Sequence, residues 1–254
     1  MNQWALITGA SAGIGYEFAR LFAREQFNLV LVARSAPRLE KLADELRAAH
    51  GVEVEVLAKD LAQPSAAAEI FDQVRSTPIE VLVNNAGFGS YGAFADTDLA
   101  ISTEILQVNL IALVQLTHRF LQPMRARGHG RILQVASTAA FQPGPNFNVY
   151  YASKAFVYSF AYALAEELAG TGITVTTLCP GLTRTEFQAR AHLAEAQRWG
   201  VMEADVVAAL GFRGLMRGKR VVIPGGLNQV ASFVAKRVPP RLTSAVVRRI
   251  HSKR

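Results

Sequence analysis

Seven apolar runs of strand length recur along the chain, at 4–8, 28–33, 52–58, 79–84, 130–137, 172–179 and 219–223. Runs such as 28–33 (NLVLVA) and 173–178 (ITVTTL) lack the in–out alternation of a half-exposed strand. Strands without that alternation are covered on both faces, which calls for a parallel sheet with helices on each side. Helical patterns fill the gaps, near 13–26, 36–50, 64–76, 97–125, 148–170 and 203–217. Right-handed β-α-β crossovers then build a doubly wound α/β sheet of about seven strands. At 254 residues, half of them apolar, the chain suits one such domain over 1–226.

Residues 227–254 read as an extension, with two short amphipathic patterns joined by Val238-Pro239-Pro240. The net charge is +7, yet every acidic residue lies at or before Asp205 while eleven basic residues follow it. The basicity therefore belongs to the C-terminal fifth, which argues against nucleic-acid binding by the whole protein. Within the extension Val230, Phe233, Val234, Leu242, Val246, Val247 and Ile250 interleave with seven basic residues. Helices that rest on anionic membrane surfaces have this composition, though the plainer expectation is that the apolar faces pack on the domain. The single cysteine, Cys179, can form no intrachain disulfide, and its place at the end of a buried strand suits a small core residue. A strand pattern begins at residue 4 with no leader-like run before it, and no stretch approaches about 20 uninterrupted apolar residues. A cytoplasmic protein is expected.

The first strand runs into Thr8-Gly9-Ala10-Ser11-Ala12-Gly13-Ile14-Gly15 and a helix follows at once. Glycines at such a turn let backbone N–H groups approach a pyrophosphate at the helix N-terminus. The second strand ends Val32-Ala33-Arg34-Ser35. Ala33 stands where an NAD-selective site carries a carboxylate for the ribose 2′-hydroxyl, and Arg34 can grip a 2′-phosphate instead. NADP(H) is the expected cofactor. Asp60 and Leu61 close the third strand, where Asp60 suits either an adenine contact or an ordinary turn. Asn84-Asn85-Ala86-Gly87 ends the fourth strand with small residues that tolerate close cofactor approach.

Ser137 ends the fifth strand, and thirteen residues later Tyr150-Tyr151-Ala152-Ser153-Lys154 opens a helix. At four-residue spacing Tyr150 and Lys154 share a helix face. A phenol near pKa 10 is a poor acid–base at neutral pH. An ammonium at about 4 Å, with an effective dielectric of about 20, stabilises its phenolate by about 4 kcal/mol. That is enough to bring the phenol down by about three pH units. Ser137 can then hold a substrate oxygen. Tyr151 and Tyr158 also lie near the lysine's face, but only Tyr150 satisfies both intervals.

Together Thr8-Gly9-x3-Gly13-Ile14-Gly15, Asn84-Asn85-Ala86-Gly87, Ser137, Tyr150-x3-Lys154 and Pro180-Gly181 resemble the short-chain dehydrogenase/reductase family in order and spacing, over residues 4 to about 225. The resemblance implies a Rossmann-type fold and hydride transfer between nicotinamide and a carbonyl–alcohol pair. It implies Tyr150 as proton donor or acceptor, Lys154 as its partner and ligand of the nicotinamide ribose, and Ser137 as the group that orients the carbonyl. Asn109 would support a proton relay through water, while Pro180, Gly181 and Thr185 would contact the nicotinamide side. Long helices near 97–125 and 148–170 commonly pair as a homodimer in this family. Members that bind NADPH but act only as regulators have usually lost the tyrosine or lysine, and both are present here. A membrane-associated adaptor would rest on the last fifth of the chain alone. Phe141, Pro143, Pro145, Phe147, Phe187 and Trp199 follow strands five and six, and no charge lies between Ser137 and Tyr150. A bulky apolar substrate, a long-chain, acyl or steroid-like carbonyl, is expected at those strand ends.

Overall fold

The computed structural model describes residues 3–191 and 200–252. Strand β1 (Trp4–Thr8) leads into α1 (Gly13–Arg24), then β2 (Asn28–Ala33), α2 (Ala36–His50), β3 (Val54–Ala58), α3 (Ala66–Gln73) and β4 (Ile79–Asn84). A long helical run follows, made of α4 (Leu99–Leu106), a π-helical turn (Gln107–Ala112) and α5 (Leu113–Arg127). Next come β5 (Gly130–Val135), α6 (Asn148–Glu167) and β6 (Ile173–Leu178). The short strands β7 (Thr183–Arg184) and β8 (Met202–Glu203) pair with each other, with α7 (Phe187–Arg190) between them in sequence. After these stand α8 (Ala204–Met216), β9 (Val221–Val222), α9 (Gly226–Ala235) and α10 (Pro240–Ser252).

Seven strands form one parallel sheet in the order β3-β2-β1-β4-β5-β6-β9. Side chains along each strand alternate between its two faces. Ala5, Ile7, Leu29, Leu31, Val81 and Val83 therefore pack on one side with Phe18 and Phe22 of α1, Leu39 and Leu42 of α2 and Val207 and Leu215 of α8. Leu6, Val30, Val32, Leu82 and Ile132 pack on the other with Ile70 of α3, Leu116 and Phe120 of α5 and Ala161 and Leu164 of α6. Chain order reverses between β1 and β4, and this switch point opens a crevice at the C-terminal strand ends.

Three features depart from the sequence reading. The helix expected over 97–125 contains the π turn, and the β7–β8 pair with α7 was not anticipated. The run Leu99–Arg127, 29 residues long, is also apolar enough by length and composition to cross a membrane, although Glu104, Gln107 and Asn109 interrupt it. Its buried side lies against the sheet and α3, as a core helix does.

The extension lies on the body and helps to build the crevice. Ser232 and Val247 are buried, and Lys236 lies over the rings of Phe141 and Tyr158 while donating to the Tyr158 hydroxyl at 3.1 Å. Packing of the apolar faces was expected, yet among the apolar side chains named for it only Val247 is buried. Val230, Phe233, Val234, Leu242 and Val246 remain exposed, because each helix turns a different side to the domain. The side chain of Ile250 lies outside the described residues.

Candidate active site

A cleft of about 790 Å³ runs along the C-terminal ends of the strands. Its turn after β1 depends on glycine. Gly9 and Gly13 have φ of +68° and +57°, and a Cβ on Gly13 would stand 2.9 Å from the Thr185 side chain. Ser11, Gly13, Ile14, Arg34, Asp60, Leu61, Asn85, Ala86, Gly87, Pro180, Gly181 and Thr185 all line the cleft, as does Gly9.

Two expected cofactor contacts lie behind the wall instead. Thr8 is buried; its Oγ1 accepts from the backbone N–H groups of Asn85 and Ala86, both at 3.0 Å, and so ties the end of β1 to the end of β4. Gly15 packs the helix against the turn, since a Cβ there would lie 2.3 Å from the Gly9 carbonyl oxygen. Both residues hold the cradle in shape without lining it. Asn85 completes the tie by donating to the Thr8 carbonyl at 2.9 Å. Asp60 accepts from the Ala62 N–H at 3.0 Å, so its turn-forming role is present while it faces the cleft.

Ser137, Tyr150 and Lys154 converge on the same cleft. Ser137 Oγ accepts from the Ala139 N–H at 3.1 Å, donates to the Pro180 carbonyl at 3.4 Å, and lies close enough to Tyr150 to draw its phenol down. Phe147, just before α6, stacks on Tyr150 with centroids 4.6 Å apart and planes 17° from parallel. Phe187 packs on the same ring at 5.2 Å. Gly89 makes room for this, because a Cβ there would meet Phe147 at 2.5 Å and Tyr150 at 2.9 Å. Tyr151 lines the cleft, and Tyr158 turns away to Phe141 and Lys236. Of the three tyrosines, Tyr150 is the one whose phenol Ser137 draws down.

The electrostatics differ from the simple pair expected. Lys154 Nζ donates to the Val135 carbonyl at 2.8 Å and stands 5.8 Å from the centre of the Tyr150 ring. Burial raises the Tyr150 phenol, and Ser137 draws it only partly back. The expected lowering by Lys154 is thus not realised in the protein alone, because the ammonium is directed at β5 and burial disfavours the phenolate. Lys154 is itself pushed down to about 8, chiefly by burial. Tyr151 and Cys179 are each pushed up to about 12, also chiefly by burial. Cys179 is fully buried and suited to packing rather than nucleophilic attack.

Asn109 sits in the π turn and is buried. Its amide donates to the Phe88 carbonyl and to Ser153 Oγ, both at 3.0 Å, and its oxygen accepts from the Phe88 N–H at 3.1 Å. The side chain braces the cleft wall from behind, and a π turn inserted in a helix often marks such a functional place. A Cβ on Gly87 would come within 3.1 Å of Asn109 Oδ1 and 3.2 Å of Lys154 Nζ, so Gly87 permits their approach.

At the substrate end Phe147, Phe187, Leu182, Ala231 and Val247 line the cleft. Phe141, expected there, instead carries Lys236 and Tyr158, while Trp199 lies outside the described residues. The sequence reading missed Asn228, Ala231 and Val247 of the extension, and also Arg38, one turn after Arg34.

A doubly wound sheet with a glycine turn at its switch point and a Ser–Tyr–Lys cluster beside it defines a dinucleotide-dependent oxidoreductase. The chain belongs to the short chain dehydrogenase family, whose model matches residues 3–196. It is 39% identical over 183 residues to the ketoacyl reductase HetN of Nostoc, covering 71% of this chain and 63% of that one. It is 35% identical over 185 residues to 17-beta-hydroxysteroid dehydrogenase type 3 of Mus musculus, covering 71% and 60%. The chain thus spans less than two thirds of the length of both relatives. Among solved structures, a short-chain dehydrogenase from Sphingobium yanoikuyae in complex with NADPH superimposes with a TM-score of 0.84 at 33% identity, covering 94% of this chain and 97% of that one. The bulky-bulky ketone specific alcohol dehydrogenase of Comamonas testosteroni gives 0.80 at 31%, covering 93% and 94%. A Burkholderia phymatum family member in complex with NAD gives 0.83 at 25%, covering 91% and 92%.

Proposed function

We propose that this protein reduces a bulky apolar carbonyl to a secondary alcohol with NADPH in the cytoplasm. The observation that carries the reading is the meeting of Ser137, Tyr150 and Lys154 beside Phe147 and Phe187 in one cleft. NADPH, when bound, supplies the hydride, and the residues of this chain do the rest. Ser137 and Tyr150 hold the carbonyl oxygen, and the phenol gives its proton to that oxygen as the alcohol forms. Burial keeps the Tyr150 phenol protonated at neutral pH, so it can give a proton to the forming alkoxide, and the same group takes the proton back in the reverse reaction. Lys154 would hold the ribose side of the cofactor, with Gly9 and Gly13 beside the pyrophosphate and Thr185 on the nicotinamide side.

Kinetics with NADPH and a graded series of ketones test this reading. Long or polycyclic ketones should give the higher kcat/KM, and a preference for small polar carbonyls would end it. Arg34 is the anchor for the 2′-phosphate. Arg34→Ala should narrow the NADPH-over-NADH gap by the ~1.5–3 kcal/mol of a hydrogen bond to a charged group. Equal wild-type affinities for the two cofactors would refute NADPH selectivity.

Leu99, Leu106 and Ile111 of the long helical run and Phe156 and Tyr162 of α6 are exposed apolar side chains. They support a two-fold homodimer, the simplest closed assembly. Light scattering at micromolar concentration should report twice the chain mass, and a monomer would end that idea. The exposed apolar and basic faces of α9 and α10 support peripheral contact with anionic membranes. Sedimentation with phosphatidylglycerol vesicles should be salt-sensitive and should be lost without residues 227–254.

A further inference from the structure

Ser137 leads directly into a 3₁₀ turn, Thr138–Phe141, that is only four residues long. Such a turn has poor hydrogen-bond geometry and little stability of its own, so its neighbours must hold it. Ser137 caps its start, with Oγ accepting from the Ala139 N–H at 3.1 Å and the carbonyl from the Ala140 N–H at 3.0 Å. The Thr138 N–H donates to the Pro180 carbonyl at 2.8 Å. The far end is held through Phe141, whose ring meets Tyr158 edge-on, with centroids 5.0 Å apart and planes at 83°. Tyr158 stands one turn after Lys154 on α6, the helix that also carries Tyr150.

Lys236, just after α9, closes this ring pair from the extension. Its Nζ lies 4.3 Å from the centre of the Phe141 ring and 4.9 Å from that of Tyr158, and donates to the Tyr158 hydroxyl at 3.1 Å. A cation attracted to two rings and hydrogen-bonded to one of them holds the rings at one separation. Beneath them lie the buried Ala136, Val157 and Cys179, packed with both rings. Ala136 precedes Ser137, and Cys179 precedes Pro180, whose carbonyl holds the turn. One turn before Lys236, Ser232 is buried, so α9 is seated on the body at this point. None of Lys236, Phe141 and Tyr158 lines the cleft. One ammonium thus ties the segment after Ser137 to the helix of Tyr150 and Lys154 from outside the site.

We propose that Lys236 is a positioning residue for the reaction, fixing Ser137 against Tyr150 by clamping Phe141 to Tyr158. The inference rests on the reductase reading above. It makes the C-terminal extension part of the catalytic machinery, although Ser137, Tyr150 and Lys154 all precede it.

Steady-state kinetics test the assignment, on whichever ketone of the graded series the wild type reduces fastest. Lys236→Met keeps the apolar stem and removes the charge. Misplacement of reacting groups by about 1 Å costs up to about a hundredfold, so kcat should fall about ten- to a hundredfold. KM should carry little of the loss, and the NADPH dissociation constant from fluorescence quenching should not change, which also reports an intact fold. Lys236→Arg should recover most of kcat, because a guanidinium also rests on aromatic rings and donates. Phe141→Leu should lower kcat in the wild type and add little in Lys236→Met, since both remove the same contact. Hydrogen exchange reads the clamp without turnover: the amides of Ala139 and Ala140 should exchange faster in Lys236→Met than in the wild type or Lys236→Arg. Wild-type kcat in Lys236→Met, a loss confined to KM, no recovery in Lys236→Arg, or unchanged exchange at those amides would each overturn the inference. A wild type that prefers small polar carbonyls would end the apolar-substrate reading and leave this one standing.

Discussion

Tyr150→Phe is expected to lower turnover by about 10²- to 10⁴-fold, the usual worth of a positioned proton donor, while NADPH still binds. The ring of the variant keeps its stack on Phe147 at 4.6 Å and its contact with Phe187, so the cleft keeps its shape. Only the hydroxyl is lost, and with it the group that Ser137 draws down. Turnover and cofactor quenching measured on the same preparation separate the two effects. Tyr151→Phe is the control, because Tyr151 shares the cleft but Ser137 does not act on its phenol. A dead Tyr151→Phe beside a fully active Tyr150→Phe would move the proton donor by one residue.

Lys154→Met should damage both chemistry and cofactor affinity. The side chain is buried, donates to the Val135 carbonyl at 2.8 Å and stands beside Gly87, so it faces the ribose side from inside the wall. Losing a charged donor costs about 1.5–3 kcal/mol, which weakens NADPH about ten- to a hundredfold. The pH dependence separates this from simple misfolding. With Lys154 lowered to about 8, the ammonium is present below that pH and lost above it. Wild-type NADPH affinity should therefore fall as pH rises through about 8, and Lys154→Met should show no such step. An identical step in the variant would assign the titration elsewhere. Lys154→Arg should not rescue, because a planar guanidinium needs more room than the buried ammonium leaves between Val135 and Gly87.

Much of the site was legible because its parts are local. Gly9, Gly13 and Gly15 mark a strand-to-helix turn by spacing alone, and Tyr150 and Lys154 fall on one helix face whatever surrounds them. That Thr8 and Gly15 lie behind the cradle wall was not legible, for the opposite reason. Whether a residue lines a cradle or braces it depends on β4, which is about seventy residues away. Arg38 escaped notice because an arginine in the first turn of a helix has no local mark. The carboxylate it pairs with, Glu186, lies 148 residues further along the chain. Phe147 read as one aromatic among several until folding laid it on Tyr150.

By itself the sequence determined the layered α/β sheet, the glycine turn and the chemical character of the reacting group. Periodicity and short spacings are properties of neighbouring residues, and they survive in any compact arrangement of the same elements. Only the tertiary structure decided where Lys154 directs its charge, that Asn109 braces Phe88 from a π turn, and that α9 and α10 wall the cleft while leaving apolar faces outside. It also decided that Arg38 meets Glu186. Burial, desolvation and pairing over long chain separations exist only once the layers have packed, and these set the pKa values and partners on which function depends.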